Sequence, residues 1–377
     1  MPGSSYDRYG LTSNPFRDLS SESLEDVELV HVNLDIDRTL DAIREEVFAK
    51  ENRALIALTG LHGAGKTERL LVTQSEANSR KAFCVYFDIT TKTTWVTKGL
   101  AEELEKASRL GGFKRIFGAP GWFRNVAALD KMKDKNYDPL KAGRALADAL
   151  NANVPAFLLL NDLHNLANSD ELGLFAKVLQ EMVDTIKPGV LIAFGAFPSF
   201  MLQLATQQPP LSSRINRILI LPRLTTEEAS LLLAKKLLTK RLVEGLDPLY
   251  PFDQEAVMRL NQLAWGNPRR LLELADASIE YAVAHRTYRI DAEVVRSALV
   301  ERQVQDVKAT YEGLSEPWSE GRPPGGAPPS PPKTAQVADL SATPEPQPLP
   351  SASQSAGTAP SGAVNSAGAP VRPSPPG

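Results

Sequence analysis

Residues Gly60-Leu61-His62-Gly63-Ala64-Gly65-Lys66-Thr67 follow the spacing G-x-x-x-x-G-K-S/T, and each residue type suits a chain of phosphates. Glycines let successive backbone N–H groups turn inward onto an anion. A lysine at this place bridges β- and γ-phosphates, and a threonine hydroxyl after it binds Mg²⁺. Such a loop works only when a strand delivers it and a helix N-terminus receives it, because the free N–H groups and dipole of the helix favour negative charge. The flanking sequence supplies both. Ala54-Leu55-Ile56-Ala57-Leu58 is an apolar run before the loop, and Glu68-Arg69-Leu70-Leu71-Val72 is helix-like after it. The expected ligand is ATP, held by Gly60, His62, Gly63, Ala64, Gly65, Lys66, Thr67 and Glu68, with Mg²⁺ on Thr67.

Hydrolysis needs acids at the end of a second strand, one for the metal and one to activate water. Phe157-Leu158-Leu159-Leu160-Asn161-Asp162 is the candidate, and its first polar position is the neutral Asn161. Either Asp162 does one of the two tasks and the other is lost, or the register is shifted and Asp162 holds the metal. A third reading makes Asp162 only a helix N-cap. In Gly266-Asn267-Pro268-Arg269-Arg270, Asn267 suits an N-cap and Pro268 a first helical position. Two cations in the first turn then oppose the helix dipole, at about 0.3–1 kcal/mol each. A γ-phosphate reached by Arg269 would relieve that cost; so would local carboxylates. Arg214, just before the last apolar run, is either a finger for a neighbouring subunit's nucleotide or a plain surface arginine.

The elements that position these residues read as an α/β fold. Apolar runs at 54–59, 81–89, 156–161, 189–195 and 217–222 alternate with helical stretches. That pattern predicts a five-stranded parallel sheet between helices, a three-layer arrangement over residues 1–224. Strand patterns then stop. Thr225-Thr226-Glu227-Glu228 starts a capping box, and helices are expected to about 239 and at about 253–264, 268–284 and 291–307, forming an all-helical lid over 225–310. Residues 311–377 are rich in Pro, Ala, Ser and Gly. They hold too little apolar surface to offset the entropy of ordering, and disorder is expected. A run such as Pro328-Pro329-Ser330-Pro331-Pro332 is either a solvated spacer or a ligand for a partner's aromatic groove.

The 377 residues carry a net charge of −3, which speaks against a globally basic nucleic-acid binder. One cysteine, Cys84, excludes an internal disulfide or a cysteine metal cluster and is expected in the core. No apolar run approaches the roughly 20 residues of a membrane helix, and the N-terminus has no signal-peptide pattern, so a cytoplasmic protein is expected. Segment 110–136 sets Lys114, Arg115, Arg124, Lys131, Lys133 and Lys135 among Phe113, Phe117, Trp122 and Phe123. It reads as a DNA contact, a surface for a membrane or protein partner, or an inserted helix with solvated lysines.

Taken in order, the phosphate loop, the acid-ended strand, the run at 189–195, Arg214 and the Gly-Asn-Pro-Arg-Arg of the lid resemble the AAA+ family. More narrowly, the chain resembles the origin-recognition, or initiator, ATPases and the related secretion-type and transposition-type ATPases. Tyr9-Gly10-Leu11-Thr12-Ser13-Asn14-Pro15-Phe16 is similar to their G-L-x-x-N-P-F opening, and Arg289-Ile290-Asp291 to the end of their lid. The resemblance spans about 8–305. It implies that residues 10–38 help cover the adenine, that Arg269 is the lid's sensor arginine and that Arg214 is the finger. It also implies self-assembly. Two departures bear on hydrolysis more than on binding: Asn161 stands where the family has Asp, and Ala196 holds the place of a polar sensor. Initiators carry a winged-helix DNA module after the lid, where this chain has its Pro-rich tail, which speaks against sequence-specific origin recognition. The function expected is an ATP-dependent switch or assembly factor with slow hydrolysis. The readings left beside it are a DNA-associated ATPase and a non-hydrolysing, ATP-bound adaptor that recruits partners through its tail.

Overall fold

The computed structural model describes residues 5–17, 27, 30–93, 95–110, 137–167 and 169–315. Apart from Leu110, the basic and aromatic segment 110–136 lies outside them, as does the chain after Ser315.

Five strands, β1 (Ala54–Thr59), β2 (Phe83–Asp88), β3 (Ala156–Asn161), β4 (Val190–Ala196) and β5 (Arg217–Ile220), form one sheet in the order β2-β3-β4-β1-β5. Every pairing is parallel. β1, β3 and β4 are buried along their whole length, as expected of strands covered on both faces. Side chains alternate between two cores. Leu55, Val85, Leu158, Leu160 and Phe194 meet α3 (Val96–Leu110), α4 (Pro139–Asn151), α5 (Glu171–Thr185) and α6 (Pro198–Gln207) on one face. Ile56, Leu58, Phe157, Leu159 and Leu191 meet α1 (Asp35–Phe48) and α2 (Lys66–Ser79) on the other. This period of two makes the three layers. Cys84 faces the second core but is only partly buried, and burial pushes its thiol up to about 12, so it is a poor nucleophile.

The helical part holds α7 (Thr226–Leu238), α8 (Gln254–Ala264), α9 (Pro268–Ala284) and α10 (Ala292–Ser315). Thr225 caps α7 through the expected box: the Glu228 N–H donates to its hydroxyl, and the Thr225 N–H donates to the Glu228 carboxylate. α10 runs to Ser315, past the expected start of the tail. The core of this part also contains Tyr9, Leu11, Phe16, Val32 and Leu34 from the N-terminal segment. Asn14 is buried and donates to Asp276 at 2.8 Å and Glu280 at 2.7 Å on α9. Phe16 meets Phe252 edge-on. The opening segment, read from the sequence as part of the sheet domain, anchors on the lid.

Candidate nucleotide-binding site

The C-terminal ends of the parallel strands open on a cleft of about 700 Å³, lined among others by His62, Gly63, Gly65, Lys66, Thr67, Glu68, Asn161, Asp162 and Arg269. The phosphate loop connects β1 to α2, the strand–loop–helix context that the motif requires. Gly65 holds φ +93° at the α2 N-cap and Gly63 holds φ +75°. A Cβ on Gly63 would lie 2.5 Å from Arg269 Cβ and 2.9 Å from Asn267 Oδ1, so only glycine lets the lid come this close. Lys66 is buried, and its Nζ donates to the carbonyls of Gly60 and Leu61, each at 3.0 Å. Burial pushes its ammonium below the ordinary range, and the Asp162 carboxylate opposes the shift. Glu68 bonds His31 Nδ1 at 2.8 Å at the cleft wall.

The end of β3 meets the phosphate loop through Asn161. Thr67 donates its hydroxyl proton to Asn161 Oδ1 at 3.0 Å, so Asn161, not Asp162, stands against the loop. Asp162 follows at φ +53° and lines the cleft. It occupies the N-cap position of the short helix Leu163–Leu166, yet its side chain makes no capping bond. The His164 ring lies against Phe197, centroids 3.8 Å apart and tilted by 42°, and its buried Nδ1 makes no hydrogen bond among the described residues. Burial holds its imidazole below the ordinary range, with Asp162 pulling the other way. Ala196 is fully buried at the end of β4, and the next residue, Phe197, faces the cleft with Lys66 Nζ 4.5 Å from its ring centroid.

The lid closes the cleft through α9. Asn267 caps that helix by accepting from the Arg270 N–H at 3.1 Å and donates to the His62 carbonyl at 2.7 Å. The Arg269 N–H donates to the Gly63 carbonyl at 3.3 Å. The Arg269 side chain lines the cleft, half-exposed, with Glu273 at 3.3 Å. Both sequence readings of this arginine therefore meet here: a local carboxylate partner and a place beside the phosphate loop. Of segment 10–38, Val30 lines the cleft while the opening residues pack on the lid.

Arg214 is not in the cleft. It precedes Asn216, which pairs with Leu55 at the start of β1, the far end of the sheet from the loop. Its guanidinium holds Asp184 by two bonds of 2.7 Å, which keep the Asp184 carboxyl below its usual range. From there it cannot reach the nucleotide of its own chain. Asp88 was missed in the sequence. It ends β2 opposite Asn161 and accepts from Asn161 Nδ2 at 2.8 Å.

No family model matches the sequence. Among curated proteins the chain is similar to an uncharacterised HTH-type transcriptional regulator of Methanocaldococcus jannaschii, 28% identical over 111 residues. That match covers 29% of this chain and only 27% of the regulator. The structure is similar to the Aeropyrum pernix ORC1 protein in complex with DNA, with TM-score 0.50 and 18% identity over 78% of this chain and 71% of that one. It is likewise similar to the Aeropyrum pernix ORC2 protein in its ADPNP-ADP complexes, with TM-score 0.50 and 15% identity over 75% and 70% of the two chains. The chain thus has the fold of these two ORC structures. Of the two positions expected to bear on hydrolysis, Asn161 lines the cleft, whereas Ala196 is fully buried. Among the described residues, no helix is long and apolar enough to cross a membrane.

Proposed function

We propose that the chain is an ATP-dependent switch whose nucleotide ties the sheet domain to the lid. The observation that carries this reading is the docking of the α9 N-terminus on the phosphate loop, through Asn267 to His62 and Arg269 to Gly63. A ligand between loop and lid touches both at once, so its binding energy favours the closed arrangement. The residues fit a nucleoside triphosphate with Mg²⁺. The Gly63 and Gly65 backbone forms a cradle that side chains would block, Lys66 is buried inside it, and the Thr67 hydroxyl and Asp162 border the same cleft. Lys66 and the loop N–H groups would hold the phosphates, Thr67 the metal, and Arg269 the far side. Mg²⁺ bound there would neutralise charge on the phosphate oxygens.

Asp162 is the candidate base for the attacking water, with the neutral His164 beside it. Arg214 serves a neighbour's nucleotide, so assembly and turnover are linked. DNA is the candidate partner, because the similar ORC1 protein is solved with DNA and segment 110–136 has the basic and aromatic composition for it. The alternative, an adaptor that binds ATP without turning it over, is favoured by the neutral Asn161 and by Phe197 at the end of β4, neither of which supplies a charge.

Steady-state ATP turnover over a range of protein concentrations, with and without DNA, tests the switch. Turnover per subunit that rises with concentration, and further with DNA, is expected. Turnover no higher than that of Lys66→Ala would leave the adaptor.

A further inference from the structure

Asn161 is buried between two partners of different character. Its Oδ1 accepts from Thr67 and its Nδ2 donates to Asp88. An amide can be turned either way, but a carboxylate only accepts. Asp88 therefore forces the nitrogen toward β2 and the oxygen toward the loop. The hydroxyl proton of Thr67 is then committed to Asn161, and the hydroxyl's lone pairs stay free for a cation. Asp88 and Asn161 are register partners across the parallel β2–β3 pair, so the arrangement is built by the sheet and not by a loop. Asp88 is itself exposed on the cleft wall. An aspartate at 161 would accept from Thr67 equally well, but it would then face the Asp88 carboxylate at hydrogen-bond distance, where two like charges resist joint ionisation.

We infer that Asp88 is a positioning residue for the metal–nucleotide ligand. It fixes Asn161 with its acceptor toward Thr67 and carries, one strand away, the negative charge that Asn161 itself lacks. The neutral Asn161 is thus half of a matched pair rather than a lost acid. This inference rests on the nucleotide reading of the cleft.

The test is ADP binding to the full chain by calorimetry, with Mg²⁺ and with the metal chelated. The variants are Asp88→Asn and the exchange Asp88→Asn/Asn161→Asp. Asp88→Asn keeps the shape but leaves nothing to fix the amide. The gain in ADP affinity on adding Mg²⁺ is expected to fall about tenfold or more, the range for residues that orient metal ligands, with metal-free affinity unchanged. The exchange restores one carboxylate and one amide; the bond between the two positions then runs from β2 to β3, but position 161 again presents a fixed acceptor to Thr67, so it is expected to recover the gain. An equal loss with and without Mg²⁺ would mean that Asp88 only supports the fold and would overturn the inference. So would an unaltered gain in Asp88→Asn, or an exchange no better than that single variant. If ADP fails to bind the parent chain at all, the nucleotide reading falls, and this inference with it. If ADP binds and the Mg²⁺ gain ignores Asp88, this inference falls alone.

Discussion

Lys66 and Asp162 illustrate how different the demands on single residues in this cleft are. Lys66 is a buried cation whose only hydrogen-bond partners on the loop are two carbonyls, so its charge is poised for an anion that the loop can hold. Lys66→Ala is expected to abolish ATP binding, measured by calorimetry. Asp162→Asn is expected to abolish turnover in a steady-state assay; persisting turnover would place the base elsewhere. Asp276 offers a stability test away from the site. Burial raises its carboxyl above the usual range; the Asn14 bond opposes this, and Glu280 adds to it, with Arg302 and Arg17 pulling down. The folded state thus binds this proton more tightly than the unfolded chain does. The contribution to stability is largest below the unfolded value near ~4 and falls as pH rises through the folded one. Asp276→Asn keeps an acceptor for Asn14, so its melting temperature is expected to exceed the parent's at pH 7 and to match it near pH 4. The phosphate loop was legible because eight consecutive residues carry it. Asp88 was not, since its contact with Asn161 exists only through the register of β2 on β3, between residues 73 positions apart.

Helix α9 does two tasks with its first turn. Asn267 both caps the helix and binds the phosphate loop. Asn267→Ala is expected to cost about 1–2 kcal/mol of stability in denaturant unfolding and to weaken ATP binding as well, whereas a cap with no other role would change stability alone. The strands and lid helices were legible because burial on both faces leaves apolar runs and because caps such as Thr225–Glu228 are local. The N-terminal segment was not. Its residues find their partners on helices more than two hundred positions later, as Tyr6 and Asn14 do on Glu280, and no local pattern encodes that. Nor does a sequence show that the aromatic Phe197, rather than Ala196, is presented to the cleft.

In the proposed switch, Arg214 would make turnover a property of an assembly. It sits at the end of the sheet opposite its own loop, oriented by Asp184. Arg214→Ala is expected to leave ATP affinity in place, to remove the rise of turnover with protein concentration and to lower turnover roughly 10³-fold or more, the scale of arginine fingers. A variant with parental turnover would leave the arginine as a structural partner of Asp184. The α/β layers and the lid were legible in the alternation of runs and in the change of pattern after Leu224. The meeting of lid and loop was not, because it depends on the close approach of Gly63 and Arg269, residues from opposite halves of the chain. The most direct measurement is a calorimetric titration of Mg·ATP into the full chain and into Lys66→Ala. Saturable binding to one site per chain, absent from the variant, is the expected result. No binding to the parent, or equal affinity in both proteins, would contradict a nucleotide site between the phosphate loop and the lid.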